Sequence, residues 1–87
     1  MPYLIRFIYN KQGYHSEQYY CGKRYRYGGE KYATISGNID NAKLFKSKKT
    51  ALNAFYNLRE NCVNVPYELE GEERSEIIED RTDYNSK

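Results

Sequence analysis

The sequence predicts an α+β fold, an antiparallel sheet of about four strands packed against one helix, followed by an acidic C-terminal tail. Three features of its 87 residues carry that expectation. Alternating β-branched and aromatic runs, separated by glycine-bearing turns, fill the first 36 positions. A single apolar stripe at helical spacing follows between 48 and 61. A chain of this length buries roughly two-thirds of its extended surface on folding, enough for one core and not for two.

Tyr3-Leu4-Ile5-Arg6-Phe7-Ile8-Tyr9 reads as the first strand, with Tyr3, Ile5, Phe7 and Tyr9 on one face. Asn10-Lys11-Gln12-Gly13 has the composition of a type I turn closed by a glycine, a slightly long hairpin loop. The second strand runs from Tyr14 to Tyr27 with a bend at Gly22, since glycine within a strand marks a bulge or a close backbone approach. Its later half alternates cleanly, with Tyr19, Cys21, Lys23, Tyr25 and Tyr27 on one side and Tyr20, Gly22, Arg24 and Arg26 on the other. Gly28-Gly29 is a tight turn into a third strand, Tyr32-Ala33-Thr34-Ile35-Ser36, and residues 37–41 form a loop. Ser47 is placed to cap a helix from about Lys48 to Asn61, whose stripe of Ala51, Leu52, Phe55 and Leu58 is extended by Cys62. Val63, Val65, Tyr67 and Leu69 alternate with polar residues and predict a fourth strand, held to an edge because Pro66 lacks a donor. Gly71 ends it. The domain is thus expected to span 1–71, with 72–87 an acidic tail that is mobile or forms a short helix around Ser75–Asp80.

The formal net charge of +2 conceals an asymmetry. Residues 1–59 carry eleven Lys and Arg against three acids, a balance of +8, while residues 60–87 carry three against nine, a balance of −6. Two cysteines, Cys21 and Cys62, in a chain with no export signal read as free thiols, and with one histidine, His15, they are too few for a structural zinc site. No cofactor or metal is expected. No apolar run is long enough to span a bilayer, which points to a soluble cytoplasmic protein without membrane contact.

Catalytic chemistry finds little support. His15 and Cys21 approach one another only if the second strand bends, and no third group orients them. Gly28-Gly29-Glu30-Lys31 lacks the spacing of a phosphate-binding loop, and Asn38, Asp40 and Asn41 lack the terminal glutamate of a calcium loop. An enzyme of unknown substrate is therefore the third-ranked class.

The interleaved segment Lys23-Arg24-Tyr25-Arg26-Tyr27, with Tyr20 before it and Lys31-Tyr32 after it, is the candidate site. Cations neutralise phosphates or carboxylates, and tyrosine rings stack on bases or anchor a protein interface by area. The bland alternative is that the tyrosines close the core while the arginines are merely solvated. Glu72, Glu73, Glu76, Glu79 and Asp80 in the tail either keep the chain soluble, fold over the basic face, or themselves contact a basic groove on another protein.

The order of elements, a tyrosine-rich hairpin, a third strand, then Ala42-Lys43-Leu44-Phe45-Lys46-Ser47 leading into Ala51-Leu52-Asn53-Ala54-Phe55 and a closing strand, resembles the small accessory proteins of bacteriophages and mobile elements, a group that includes anti-CRISPR inhibitors. The resemblance covers about residues 3–70 and implies stoichiometric, non-catalytic interference with a host defence nucleoprotein or nuclease complex in the host cytoplasm. No site residues transfer with it. The expected function is such an inhibitor, working through the tyrosine and arginine surface. The alternative is a direct nucleic-acid-binding module. Pro66 on an edge strand and the surplus of tyrosine also make a homodimer plausible.

Overall fold

The computed structural model describes residues 1–80. Strands β1 (Tyr3–Lys11), β2 (Tyr14–Tyr27) and β3 (Glu30–Ser36) form an antiparallel meander, a 3₁₀ turn covers Ile39–Asn41, helix α1 spans Lys48–Asn61, and β4 (Arg74–Glu79) completes one sheet. The strand order is β3-β2-β1-β4, all neighbours antiparallel, so the predicted four-stranded α+β architecture is observed.

Both hairpins turn on two residues in the left-handed region. Gln12 and Gly13 have φ of 52° and 81°, and Gly28 and Gly29 have 60° and 84°. Such mirror-image turns match the right-handed twist of the strands they join. The first loop is therefore shorter than its composition suggested, with Lys11 paired directly to Tyr14. Before α1, the Ser47 hydroxyl accepts the Thr50 N–H at 3.2 Å and the Thr50 hydroxyl accepts the Ser47 N–H at 3.2 Å, a reciprocal cap that fixes the helix start. Buried Ala51, Phe55 and Leu58 lay the helix on Ile5, Phe7, Tyr20 and Ala33, with Cys62 and Val65 closing one end of the core. Each large side chain in that set contributes about 1.5–3 kcal/mol by its burial.

The fourth strand is not where the alternation placed it. Of Val63, Val65, Tyr67 and Leu69, only Val65 is buried. Residues 63–73 instead form a strap that runs from one border of the sheet to the other. At the β3 border the Val63 N–H donates to the Lys31 carbonyl at 2.9 Å. The Asn64 side chain there accepts the Ala33 N–H at 2.8 Å and donates to the Ala33 carbonyl at 3.0 Å, standing in for a neighbouring strand. Midway, the Tyr9 hydroxyl donates to the Asn64 carbonyl at 2.7 Å. At the β4 border Ser75 donates its hydroxyl to the Pro66 carbonyl at 3.1 Å and its N–H to the Glu68 carbonyl at 2.7 Å. Pro66 thus lies outside any strand, and the edge-strand argument for a homodimer loses its basis.

The strand proper lies in what the sequence presented as tail. Arg74–Glu79 is β-structure rather than a mobile segment or short helix. Its register sets Ile78 opposite Leu4, Ile77 opposite Ile5 and Glu76 opposite Arg6. Arg6 lies on the face of β1 turned away from α1, between buried Leu4 and Ile8. Its Nε donates to Glu76 Oε1 at 2.9 Å, its Nη2 contacts the same oxygen, and Glu17 of β2 lies 3.7 Å away. Arg74 Nε donates to the other Glu76 oxygen at 2.9 Å. A half-buried guanidinium on the central strand needs such partners, and Glu76 in register beside it satisfies that need. The rest of the expected tail, beyond Asp80, lies outside the described residues.

Burial raises the Glu76 carboxyl, but hydrogen bonds from Arg6 and then Arg74 outweigh it and hold the group below its ordinary value of 4.5. The stability it contributes is complete above that pH and is lost as pH falls toward the lowered value. Glu76→Ala is expected to lower stability at neutral pH by about 1–2 kcal/mol and to flatten the decline in acid, as read by urea denaturation across pH 2–7. Asn64→Ala is expected to cost about 1–2 kcal/mol and to speed hydrogen exchange at the Ala33 amide.

Candidate nucleic-acid and partner interface

The candidate surface exists because β2 outruns β1. Pairing between them extends from Lys11 and Tyr14 to Arg6 and Tyr19. Beyond that, Tyr3 exchanges both backbone hydrogen bonds with Phe45, at 2.8 and 2.7 Å, and the Lys43 N–H donates to the Tyr20 carbonyl at 2.7 Å. Between the pairs Tyr20–Ile35 and Arg24–Ala33, the three residues Cys21, Gly22 and Lys23 face only Thr34, which is the bend predicted at Gly22. Gly22 takes φ of +92°, and a Cβ there would lie 3.1 Å from the Lys43 side chain. Past this bulge β2 keeps β3 as its sole strand neighbour, so 24–27 and 30–33 form a two-stranded ribbon.

The two faces of the ribbon differ as the alternation predicted. Tyr25 and Tyr32, directly opposed, stack with ring centroids 5.3 Å apart and planes 12° from parallel. Tyr27 continues that face with 75% of its surface exposed. On the other face stand Arg24, Arg26 and Lys31, the first two exposed and the last half-buried, which with Tyr25 line a shallow depression of about 260 Å³. Arg24 Nη2 donates to Asn57 Oδ1 of α1 at 2.7 Å. Neither arginine is paired with a carboxylate among the described residues. Lys23 is exposed in the bulge.

Tyr20 is a correction. It shares the arginine face, but it precedes the bulge and lies beneath α1, buried and stacked on Phe45 at 6.5 Å. It belongs to the core. The role of Asn57 had no signal in the sequence, because its contact with Arg24 bridges helix and ribbon across 33 residues.

The acidic residues do not act as a set. Glu76 is engaged by Arg6 and Arg74. Glu79 ends β4, and Asp80 is buried with its N–H donating to the Pro2 carbonyl at 2.9 Å. Glu72 and Glu73, joined by Glu68, line an open cleft of about 640 Å³ beside Tyr9. There burial, then the charge of Glu73, pushes the Tyr9 phenol up to about 12. The cleft runs from Tyr9 to Val63 and Asn64, the two strap residues hydrogen-bonded to Lys31 and Ala33 at the β3 border. Glu72 and Glu73 are therefore gathered with Glu68 on this cleft, and no ion pair joins them to a ribbon cation among the described residues.

Other chemistry can be placed briefly. His15 contacts Glu17 at 3.0 Å and lies six positions from Cys21, roughly 20 Å along an extended strand. Cys21 and Cys62 are free thiols, and burial pushes the Cys21 thiol up, away from the thiolate. Among the described residues no group of three or more His, Cys, Asp or Glu is placed to hold a metal ion, and no helix is long and apolar enough to cross a membrane. Comparison with family models, curated proteins and solved structures finds no match to this chain.

Gly22→Ala is expected to lower stability by about 1–2 kcal/mol through left-handed backbone strain, and more through contact with Lys43. Thermal melts should show the contact part restored when Lys43→Ala is added.

Proposed function

We propose that the protein is a non-catalytic binding protein of the kind phages use against host defence, anti-CRISPR inhibitors among them. Its ribbon docks on an acidic or phosphate-lined surface of a host nucleoprotein or nuclease complex. The observation that carries this reading is the ribbon itself, with stacked and exposed tyrosines on one face and cations without carboxylate partners on the other. Folding does not account for it, because a side chain as exposed as Tyr27 gains little from burial. Tyrosine and arginine are the residues that most often anchor interfaces, and opposed charge guides encounter. Glu68, Glu72 and Glu73 are gathered on a separate cleft and pair with none of the ribbon cations among the described residues, which leaves those cations free to engage a partner.

A second reading is direct binding of nucleic acid. It is favoured by the width of a two-stranded ribbon, which the major groove admits, and by ring faces on which unpaired bases stack. Salt dependence separates the two. For the inhibitor, capture from host lysate recovers one nucleoprotein complex, and Tyr25→Ala or Tyr27→Ala weakens its affinity about tenfold or more with little change in melting temperature. For the nucleic-acid module, purified oligonucleotides bind at low salt with a slope that Lys23→Ala, Arg24→Ala and Arg26→Ala reduce by about one each. Absence of both behaviours would remove the ribbon as a binding device.

A further inference from the structure

We propose that the outer edge of β2 between Lys23 and Tyr27 accepts an extended acidic segment of the partner protein as an additional strand. The inference rests on the ribbon being the binding arm, and it specifies the main chain as the means of recognition.

The pairing pattern supplies the argument. The Ala33 N–H and C=O are taken by the Asn64 side chain, and the Lys31 C=O by the Val63 N–H, so residues 31 and 33 direct these groups away from β2. In an antiparallel ladder their cross-strand partners do likewise. Those partners are Arg26 and Arg24. The closing pair at Gly28-Gly29 is Tyr27–Glu30, which requires Tyr25–Tyr32 to be the next hydrogen-bonded pair and leaves Arg24 and Arg26 facing outward again. The β3 border is thus occupied by the strap, while the N–H and C=O groups of Arg24 and Arg26 have no partner among the described residues. They lie on the side that β1 vacated.

The chemistry of the occupant follows from what flanks this edge. Lys23, Arg24 and Arg26 make it basic, so an acidic strand is attracted. A second copy pairing through the same edge would set these cations against their own counterparts, which disfavours a symmetric dimer. The edge offers donors and acceptors in alternation. A phosphate backbone supplies acceptors alone, whereas a polypeptide in extended form matches both.

The test uses the full chain and a capped peptide of alternating Glu and Val, with a version methylated at alternate backbone nitrogens and an oligo-dT strand as comparisons. Under saturating peptide, hydrogen exchange at the Arg24 and Arg26 amides is expected to slow by about tenfold or more, with no gain at Tyr25, whose amide is already paired. Methylation of the peptide should abolish the effect. Arg26→Pro, which removes the outward donor, should weaken binding beyond Arg26→Ala, with circular dichroism confirming that both variants fold. Equal binding of the methylated peptide would overturn the inference, since side-chain charge alone would then suffice. So would oligo-dT binding without protection at these amides, or no peptide binding at all, the cations then serving to keep a bare edge from aggregating. A partner whose capture depends on Tyr25 and Tyr27 but leaves both amides exchanging freely would refute strand addition and preserve the binding arm.

Discussion

The guanidinium of Arg6, on the inner strand β1, is the constraint on which the arrangement of the acidic segment rests. It is half-buried, with Leu4 and Ile8 beside it, and it lies between Glu76 of β4 and Glu17 of β2. A cation in that position is costly unless hydrogen-bonded to an anion. Meeting that need brings the acidic part of the chain back against β1. Glu68, Glu72 and Glu73 are thereby held near the β1–β4 side, and the cations of the ribbon are left without compensation. The ion pair thus joins the backbone register of β1 and β4 in holding the acidic part of the chain to the sheet.

Much of the fold was legible because it is specified locally. The alternation of Tyr3, Ile5, Phe7 and Tyr9, the Gly28-Gly29 turn, the bulge at Gly22 and the Ser47 cap each depend on residues a few positions apart. The fourth strand was not legible. Val63 and Val65 offered the better two-residue period, but the strand that pairs with β1 sets Ile77 and Ile78 opposite Ile5 and Leu4 and matches Glu76 to an arginine 70 residues earlier. Ile77 and Ile78, side by side amid charge, gave no periodic signal, since each faces a different side of the sheet.

The candidate surface was legible in its alternation and not in its extent. Arg24, Arg26, Tyr25 and Tyr27 fall on the faces that a two-residue period assigns. Tyr20 obeys the same parity and is nonetheless interior, because it joins the buried cluster of Phe55 and Leu58, while Arg24 on that face reaches the exposed Asn57 of α1. Where α1 ends over the sheet depends on packing between distant segments, to which the spacing of tyrosines is blind. The ribbon also divides the labour of the molecule. The core joins Ile5, Phe7 and Tyr20 to Ala33 and α1, while the exposed side chains of Tyr25, Arg26 and Tyr27 bury little, so substitutions at those three act on recognition more than on folding.

The strap has a bearing on the order in which the molecule assembles. The three-stranded meander closes through short loops and is built from contacts near in sequence, so it is expected to form early. Residues 63–73 touch both outer strands, through Val63 and Asn64 at one border and Pro66 and Glu68 at the other. Because they bond to both borders, they are expected to settle only once β3 and β4 are in place. Reversal of that step in a transient opening would therefore bare the β3 and β4 margins of the sheet together.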